Sequence, residues 1–443
     1  MTDAFVKLPQ KGIPKGEILE IMAQLKKSDS NWKGGRTWSL VYYAGDDHTE
    51  LLKEAYNMFF SENALNPFAF PSLKKFETEV VSMAAHILGG GENAAGTMTS
   101  GGTESILMAV KTYREWARAT KPEVKRPEMI LPMTAHPAFE KAAHYFDVVP
   151  VHVPVGDDFR ADIGAARGAI NDNSILMVGS APGYPHGVID SISEMAAIAA
   201  EKGIGFHVDA CLGGLLLPFI KKLGCQIPDF DFSVPGVTSI SADLHKYGFA
   251  AKGASVIIYR SEDLRRYQFF VYTDWSGGIY ASPGMPGTRP GGAIAAAWAC
   301  LVAMGEDGYL RSAEQIMKTT KSLTDGIGAI PGLYILGKPD ASVFAFTSDE
   351  VDIYAVGDAM EARGWNMDRQ QMPPSLHIMV TLAHGRIVEQ FLTDLEASVA
   401  YVRENPSASS EGMAALYGMT AKLPDRGIVR DLVLQFLDNL YRI

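Results

Sequence analysis

Between about residue 75 and residue 260 the chain alternates short apolar runs with stretches of helical periodicity, and that alternation leaves few folds open. Met129-Ile130-Leu131, Val148 to Val155, Ser174 to Gly179, Gly205 to Asp209, Ser239-Ile240-Ser241 and Ala254 to Tyr259 read as strands. Ala138 to Phe146 and Glu194 to Lys202 read as helices between them. Such a pattern is the signature of repeated βαβ units, so an α/β core is expected: a mostly parallel sheet with helices on its faces. Upstream, Phe76, Val80, Val81, Met83 and Ile87 follow helical spacing up to Gly89-Gly90-Gly91. A second helix is predicted to start at Ser100-Gly101-Gly102 and to bury Ile106, Leu107, Val110, Tyr113 and Ala117.

A chain of 443 residues exceeds one ordinary core, so an appended domain is expected. The first fifty or so residues show little apolar periodicity and read as an arm. Past Gly305 the texture changes to long amphipathic helices with a few strands, at Tyr334-Ile335-Leu336, Ser342 to Phe346 and His377 to Leu382. The expected division is an arm over 1–60, a large domain over 61–305 and a smaller α+β domain over 306–443. Asn405 to Gly412 reads as a polar loop. With 40 Lys plus Arg against 51 Asp plus Glu, the net charge of −11 disfavours broad nucleic-acid binding. Three cysteines without a CxxC pair fit a reducing compartment, and the amino terminus has neither the basic start nor the apolar block of a signal peptide. Gly291 to Gly305 is too short to span a bilayer, so a cytoplasmic protein is expected.

Chemistry concentrates in three segments. Ser239 to Lys246 delivers a lysine just past a strand, where it is placed to form a Schiff base with an aldehyde cofactor, although most lysines are solvated surface charges. In His207 to Gly214, Asp209 ends an apolar strand, and a buried carboxylate there demands a cation. The pyridinium nitrogen of pyridoxal phosphate is one; a cap for the next helix, or half of a metal site with His207, are the alternatives, and no second ligand cluster completes a metal set. Thr99 to Ser105 opens a helix with two glycines and hydroxyls, which suits a phosphate.

Together SGGTES (100–105), HVDACLGG (207–214) and SISADLHKYG (239–248) resemble the fold-type I pyridoxal-phosphate enzymes of the group II decarboxylase superfamily. Longer strings are most similar to the sphingosine-1-phosphate lyases: Pro185 to Asp190, Val237 to Gly248 with Ala251-Lys252-Gly253, Tyr267 to Phe270, Thr273 to Pro283, Arg289 to Gly292 and Leu416 to Met419. The WxGGIYASP block is absent from the decarboxylases. The resemblance implies Lys246 as the Schiff-base lysine, Asp209 as the pyridinium partner, His136 stacked on the ring, and Gly102, Thr103 and His245 on the cofactor phosphate. For the substrate it implies Tyr42, Lys252 and Thr288 on the substrate phosphate and Tyr184 facing the reacting centre. Near Asn66-Pro67 several family members carry a histidine thought to help bind the substrate; Asn66 can donate a hydrogen bond but brings no charge.

The implied activity is cleavage of a phosphorylated long-chain amino alcohol between C2 and C3, to a fatty aldehyde and phosphoethanolamine, by a homodimer in which the arm and the Gly277-Gly278 region reach the neighbouring site. Two rivals share these residues in part. A glutamate or aromatic amino-acid decarboxylase keeps every cofactor residue, whereas a non-enzymatic scaffold has no need of an intact Lys246 and Asp209.

Overall fold

The computed structural model describes residues 7–410, 413, 414, 417 and 425–442, so the Leu416, Gly418 and Met419 of one family string lie outside the described residues. An exposed helix α1 (Lys15–Leu25) comes first, followed by α2 (Asp46–Met58) and α3 (Pro71–Ile87). The large core then runs β1 (Ala95–Thr99), α4 (Gly102–Thr120), β2 (Glu128–Pro132), α5 (Ala138–Phe146), β3 (Val149–Val153), α6 (Ile163–Ala169) and β4 (Ser174–Ser180). It continues through α7 (Ile192–Glu201), β5 (Gly205–Asp209), α8 (Leu217–Lys222), β6 (Ser239–Ala242) and β7 (Ser255–Tyr259). The short α9 (Glu262–Arg265) leads to an isolated hairpin, β8 (Phe270–Trp275) and β9 (Gly278–Ser282), and then to α10 (Gly291–Ala329).

The seven core strands are ordered β1-β7-β6-β5-β4-β2-β3. Strands β2 to β6 pair in parallel, and β7 alone runs against its neighbours β1 and β6. Every residue of β4 and β5 is buried, as expected for strands covered on both faces. The predicted face of α4 is buried in full, with Ile106, Leu107, Val110, Tyr113 and Ala117 at 5% exposure or less. Strand β1 escapes the sequence reading because Ala-Gly-Thr-Met-Thr has no apolar run; antiparallel pairing with β7 makes it a strand.

A four-stranded antiparallel sheet follows, built from β10 (Leu333–Ile335), β11 (Val343–Ser348), β12 (Asp368–Gln371) and β13 (Pro374–Met379) in the order β10-β11-β13-β12. It packs with α11 (Ile353–Glu361), whose start is capped by Asp352 on the amides of Tyr354 and Ala355, and α12 (Val388–Glu404) packs in turn on α11 and α10. Within α10 the backbone leaves helical geometry at Gly305 (φ 55°, ψ 178°), a left-handed conformation that glycine adopts without strain. The strand predicted at His377 to Leu382 begins earlier, at Pro374, and ends at Met379, and Leu382 already opens a 3₁₀ turn.

The amino-terminal stretch divides in two. Helix α1 buries no residue, whereas Trp38 is 1% exposed, stacked 4.4 Å from His384 and 6.1 Å from Trp365. Thr37 bridges to Asn366, and α2 lies against α10, so residues 37–58 pack into the body. Among the described residues no helix is long and apolar enough to cross a membrane.

Candidate active site

Parallel register sets Ser180, Asp209 and Ser241 level at the carboxyl ends of β4, β5 and β6. The chain runs outward from β2 to β3 and then returns to the other side of β2 as β4, and a doubly wound sheet opens a crevice at such a reversal. His136 follows β2, Tyr184 follows β4 and Lys246 follows β6, so three loops deliver side chains to one edge. The resulting cavity has a volume of about 610 Å³ and is lined by Gly102, Thr103, His136, Tyr184, Asp209, His245 and Lys246, with Tyr42 and Lys252 also in its wall.

Lys246 does not pair with Asp209. Its Nζ lies 3.0 Å from Asp243 Oδ2, and the side-chain exposures are 25% for the lysine and 1% for the aspartate. Burial pushes the Lys246 pKa down, but the charges of Asp243, Cys211 and Asp209 together with the Asp243 hydrogen bond outweigh it, and the net direction is upward. Asp243 Oδ1 is buried without a partner. Asp209 Oδ1 accepts the Cys211 amide at 3.0 Å and the Ser241 hydroxyl at 3.4 Å. The metal alternative for His207 fails on contacts, since its Nδ1 and Nε2 face Ser239 and Ser241 hydroxyls at 2.8 and 3.2 Å.

Helix α4 begins at Gly102 with no side chain capping its first amides, so they are free to meet an anion. A Cβ at Gly102 would stand 2.8 Å from both Asp243 Oδ2 and Cys211 Sγ, and one at Gly101 would stand 3.3 Å from His245 Cε1. The turn is thus a cradle that only glycine leaves open. His136 Nδ1 accepts the Ala138 amide at 3.1 Å, which leaves the ring proton on Nε2. His245 Nδ1 accepts the Ala254 amide at 3.2 Å, and burial lowers its pKa against the pull of Asp243. These residues fit pyridoxal phosphate: an amine for its aldehyde, a carboxylate for its ring nitrogen, an imidazole for its face and open amides for its phosphate.

At the mouth, Lys252 Nζ donates to the His245 carbonyl at 3.2 Å and sits 5.2 Å from the centre of the Tyr42 ring. Desolvation, with the like charge of Lys246, takes its pKa down to about 8. Tyr42 donates to Met379 Sδ, and its ring meets that of Tyr247 edge-on at 5.0 Å. Tyr184 stacks on His377 at 4.3 Å, and burial followed by the charge of Asp368 raises its phenol to about 12.

Two of the expected residues are not in this cavity. Asn66 turns its Oδ1 to the amides of Phe68 and Ala69, and Thr288 takes a hydrogen bond from Asn63 Nδ2 at 3.3 Å. Two others enter it unannounced. Asp243 was legible by the argument used for Asp209, as a carboxylate at the end of an apolar strand and three residues before a lysine. Asp368, on β12, lines the cavity with its Oδ2 buried and unpartnered, and burial raises its pKa. No local pattern marks it, because only tertiary packing brings β12 to this edge.

The sequence profile of the pyridoxal-dependent decarboxylase conserved domain matches residues 15–348. A sphingosine-1-phosphate lyase of Arabidopsis thaliana is 47% identical over 442 residues, covering 98% of this chain and 81% of the relative. Sphingosine-1-phosphate lyase 1 of Rattus norvegicus is 46% identical, covering 98% and 77%. The structure of a sphingosine-1-phosphate lyase from Burkholderia pseudomallei superimposes with a TM-score of 0.88 at 42% identity, over 92% of this chain and 95% of that one. A Lactobacillus brevis glutamate decarboxylase shares the fold at 20% identity, with a TM-score of 0.79 over 90% of this chain and 96% of that one. The chain belongs to the pyridoxal-dependent decarboxylase family and, within it, to the sphingosine-1-phosphate lyases.

Proposed function

We infer that the protein is a pyridoxal-phosphate-dependent lyase that splits the C2–C3 bond of sphingosine 1-phosphate, or a related phosphorylated long-chain base, into a fatty aldehyde and phosphoethanolamine. The observation that carries this reading against an amino-acid decarboxylase is the second cation. Lys252 shares the cavity with Lys246 but is held at its mouth over the Tyr42 ring, where a substrate phosphate finds a partner apart from the cofactor's own cradle.

Bound pyridoxal phosphate supplies the sink for the electron pair left on C2 when the bond breaks. Lys246 would supply the amine that holds the cofactor's aldehyde and would be free to move protons while the substrate amine is held there. Asp209 keeps the ring nitrogen protonated, which makes the sink deeper. His136 would cover the ring face, while the Gly102 and Thr103 amides and His245 would hold the phosphate. Tyr184, with its phenol held neutral to about pH 12, donates a hydrogen bond at the reacting centre, and it and Lys246 serve the proton transfers. Burial of the substrate's head beside Tyr42 and Lys252 fixes C3 within reach of these groups.

The same reading takes the protein as a cytoplasmic homodimer in which the Gly277-Gly278 region reaches the neighbouring site, and in which Asn66 and Thr288, outside their own cavity, serve the partner's. It divides the chain into an arm (1–60), of which residues 37–58 pack on the body and bring Tyr42 to the chain's own cavity, a cofactor domain (61–305) and a small domain (306–443), the last boundary supported by the break of α10 at Gly305. Incubation with sphingosine 1-phosphate should release equal amounts of fatty aldehyde and phosphoethanolamine. Carbon dioxide released from glutamate or an aromatic amino acid, with no aldehyde from the phosphorylated base, would overturn the reading in favour of a decarboxylase.

A further inference from the structure

The small sheet closes the cavity from a further side. Alternation along β12 turns Asp368 and Gln370 to one face and Arg369 to the other. Gln370 Nε2 donates to the Pro185 carbonyl at 2.9 Å, which sets the first face against the loop after β4. On β13, His377 stands opposite Asp368 in the register and donates from Nε2 to the Tyr184 carbonyl at 2.8 Å. Met379, two residues on, takes the Tyr42 hydroxyl. Asp368 therefore belongs to the wall that frames Tyr184 and Tyr42, and it lines the cavity that holds Lys246.

The fold makes no use of one of its oxygens. A hydrogen bond with Ser39 leaves Asp368 Oδ2 buried without a partner in the chain, and an oxygen left so costs stability. The adjacent cation is committed on the strand's other face, where Arg369 gives Nη2 to Asp358 and Nη1 to Glu361. Among the described residues, the cavity's other carboxylates are Asp209, Asp243 and Glu104. Asp209 is the partner assigned to the cofactor ring. Asp243 lies beside Lys246 under the Gly102 turn, and Glu104 spends its oxygens on Ser100 and the Met285 amide. The substrate brings three polar groups. Its phosphate goes to Lys252 and its amine to the place of Lys246, so the C3 hydroxyl is the group still without an acceptor. A carboxylate repels the phosphate and has no bond to make with the alkyl chain, whereas a hydroxyl donates to it.

We propose that Asp368 is a specificity-determining residue that accepts a hydrogen bond from the C3 hydroxyl of the long-chain base. The proposal rests on the lyase reading and names the group that recognises the carbon next to the bond to be broken. The terminal torsion of an aspartate is broad, so the carboxylate can turn either oxygen to the hydroxyl. The contact fixes the hydroxyl, and with it the C2–C3 bond, in one orientation. A ligand without the hydroxyl leaves the carboxylate unpaired, which is how a polar site rejects such an analogue.

The test uses the holoenzyme and two ligands, sphingosine 1-phosphate and its 3-deoxy analogue, which lacks the hydroxyl and cannot be cleaved. kcat/KM is measured for the first, and Kd for the second from the change in cofactor absorbance on titration. Asp368→Ala should keep the cofactor band and the Kd of the analogue while kcat/KM falls roughly 10- to 150-fold, the value of a hydrogen bond to a charged group. Asp368→Asn, which keeps an acceptor oxygen without the charge, should lose only about tenfold or less. The proposal is overturned by an Asp368→Ala enzyme whose kcat/KM stays within about threefold of wild type. It is overturned equally by one that weakens both ligands by a common factor, as a merely structural residue would, or by one that loses the cofactor band. A wild-type protein that releases no aldehyde fails the lyase reading instead. Both ligands can then be titrated to equilibrium: a wild-type preference for the hydroxylated one that Asp368→Ala abolishes upholds the contact, and equal affinities overturn it.

Discussion

Lys246→Ala should destabilise the cofactor-free protein, and the cause lies in Asp243 rather than in the lost lysine. Asp243 is 1% exposed on its side chain; Oδ1 has no partner, and Oδ2 has Lys246 at 3.0 Å and only His245 Nε2, at 3.8 Å, besides. Removing one member of a buried pair costs about 3–5 kcal/mol, and the partial exposure of Lys246 lowers the expectation to about 2–3 kcal/mol. A chain of 443 residues unfolds with an entropy near 0.9 kcal/mol per degree, so calorimetry of the stripped protein should show a Tm about 2–3 °C lower. The second half of the cycle is sharper. Asp243→Asn added to Lys246→Ala removes the stranded charge and should recover most of the loss, so that the double variant is more stable than the single one. A Lys246→Ala protein that melts within about 0.5 °C of wild type, or a double variant less stable than Lys246→Ala, would refute the assignment of the pair.

Lys252→Ala should lower kcat/KM for the phosphorylated substrate roughly ten- to a hundredfold, the value of one charge-assisted phosphate contact, while the visible cofactor band stays intact. An unchanged kcat/KM would make Lys252 a bystander. The same residue sets a pH dependence: its amine is cationic below a pKa of about 8 and neutral above it, so kcat/KM should fall as pH rises through that value. Lys252→Arg, charged throughout, should flatten this alkaline limb, and a limb that survives in the arginine variant belongs to another group. Gly102→Ala improves helix propensity yet sets a Cβ 2.8 Å from Asp243 Oδ2 and Cys211 Sγ. Crowding of that order costs about 1–3 kcal/mol, and cofactor titration should show affinity reduced by roughly ten- to a hundredfold.

Much of the core was legible because its central strands are buried and rich in apolar residues, most plainly β4, every residue of which is buried. Ala138–Phe146 and Gly205–Asp209 are placed to the residue, and the others shift by one or two positions at their ends. What escaped depends on pairing or on distance. β1 is a strand only because β7 lies beside it, and Trp38 is buried only because Trp365, His384 and Phe391, all more than three hundred residues later, close around it.

The site divides along the same line. Residues at the end of a strand or a few positions beyond it, such as Asp209, His136 and Lys246, could be placed at the sheet edge from the alternation alone, since a parallel sheet has one carboxyl edge. Which of them touch could not be placed, because contact depends on loop paths that periodicity does not encode. Lys246 rests on Asp243, three residues before it in the same turn, a contact that strand alternation does not reveal. That local pairing has a chemical consequence. While Asp209 spends one oxygen on the Cys211 amide and the Ser241 hydroxyl, it is not consumed by the lysine, and it stays available for a ring nitrogen. With Asp209 and Asp243 both at this edge, the lysine and the cofactor need not compete for a single counter-charge, so one edge of the sheet can hold a cationic amine before the cofactor arrives and a cationic ring after it.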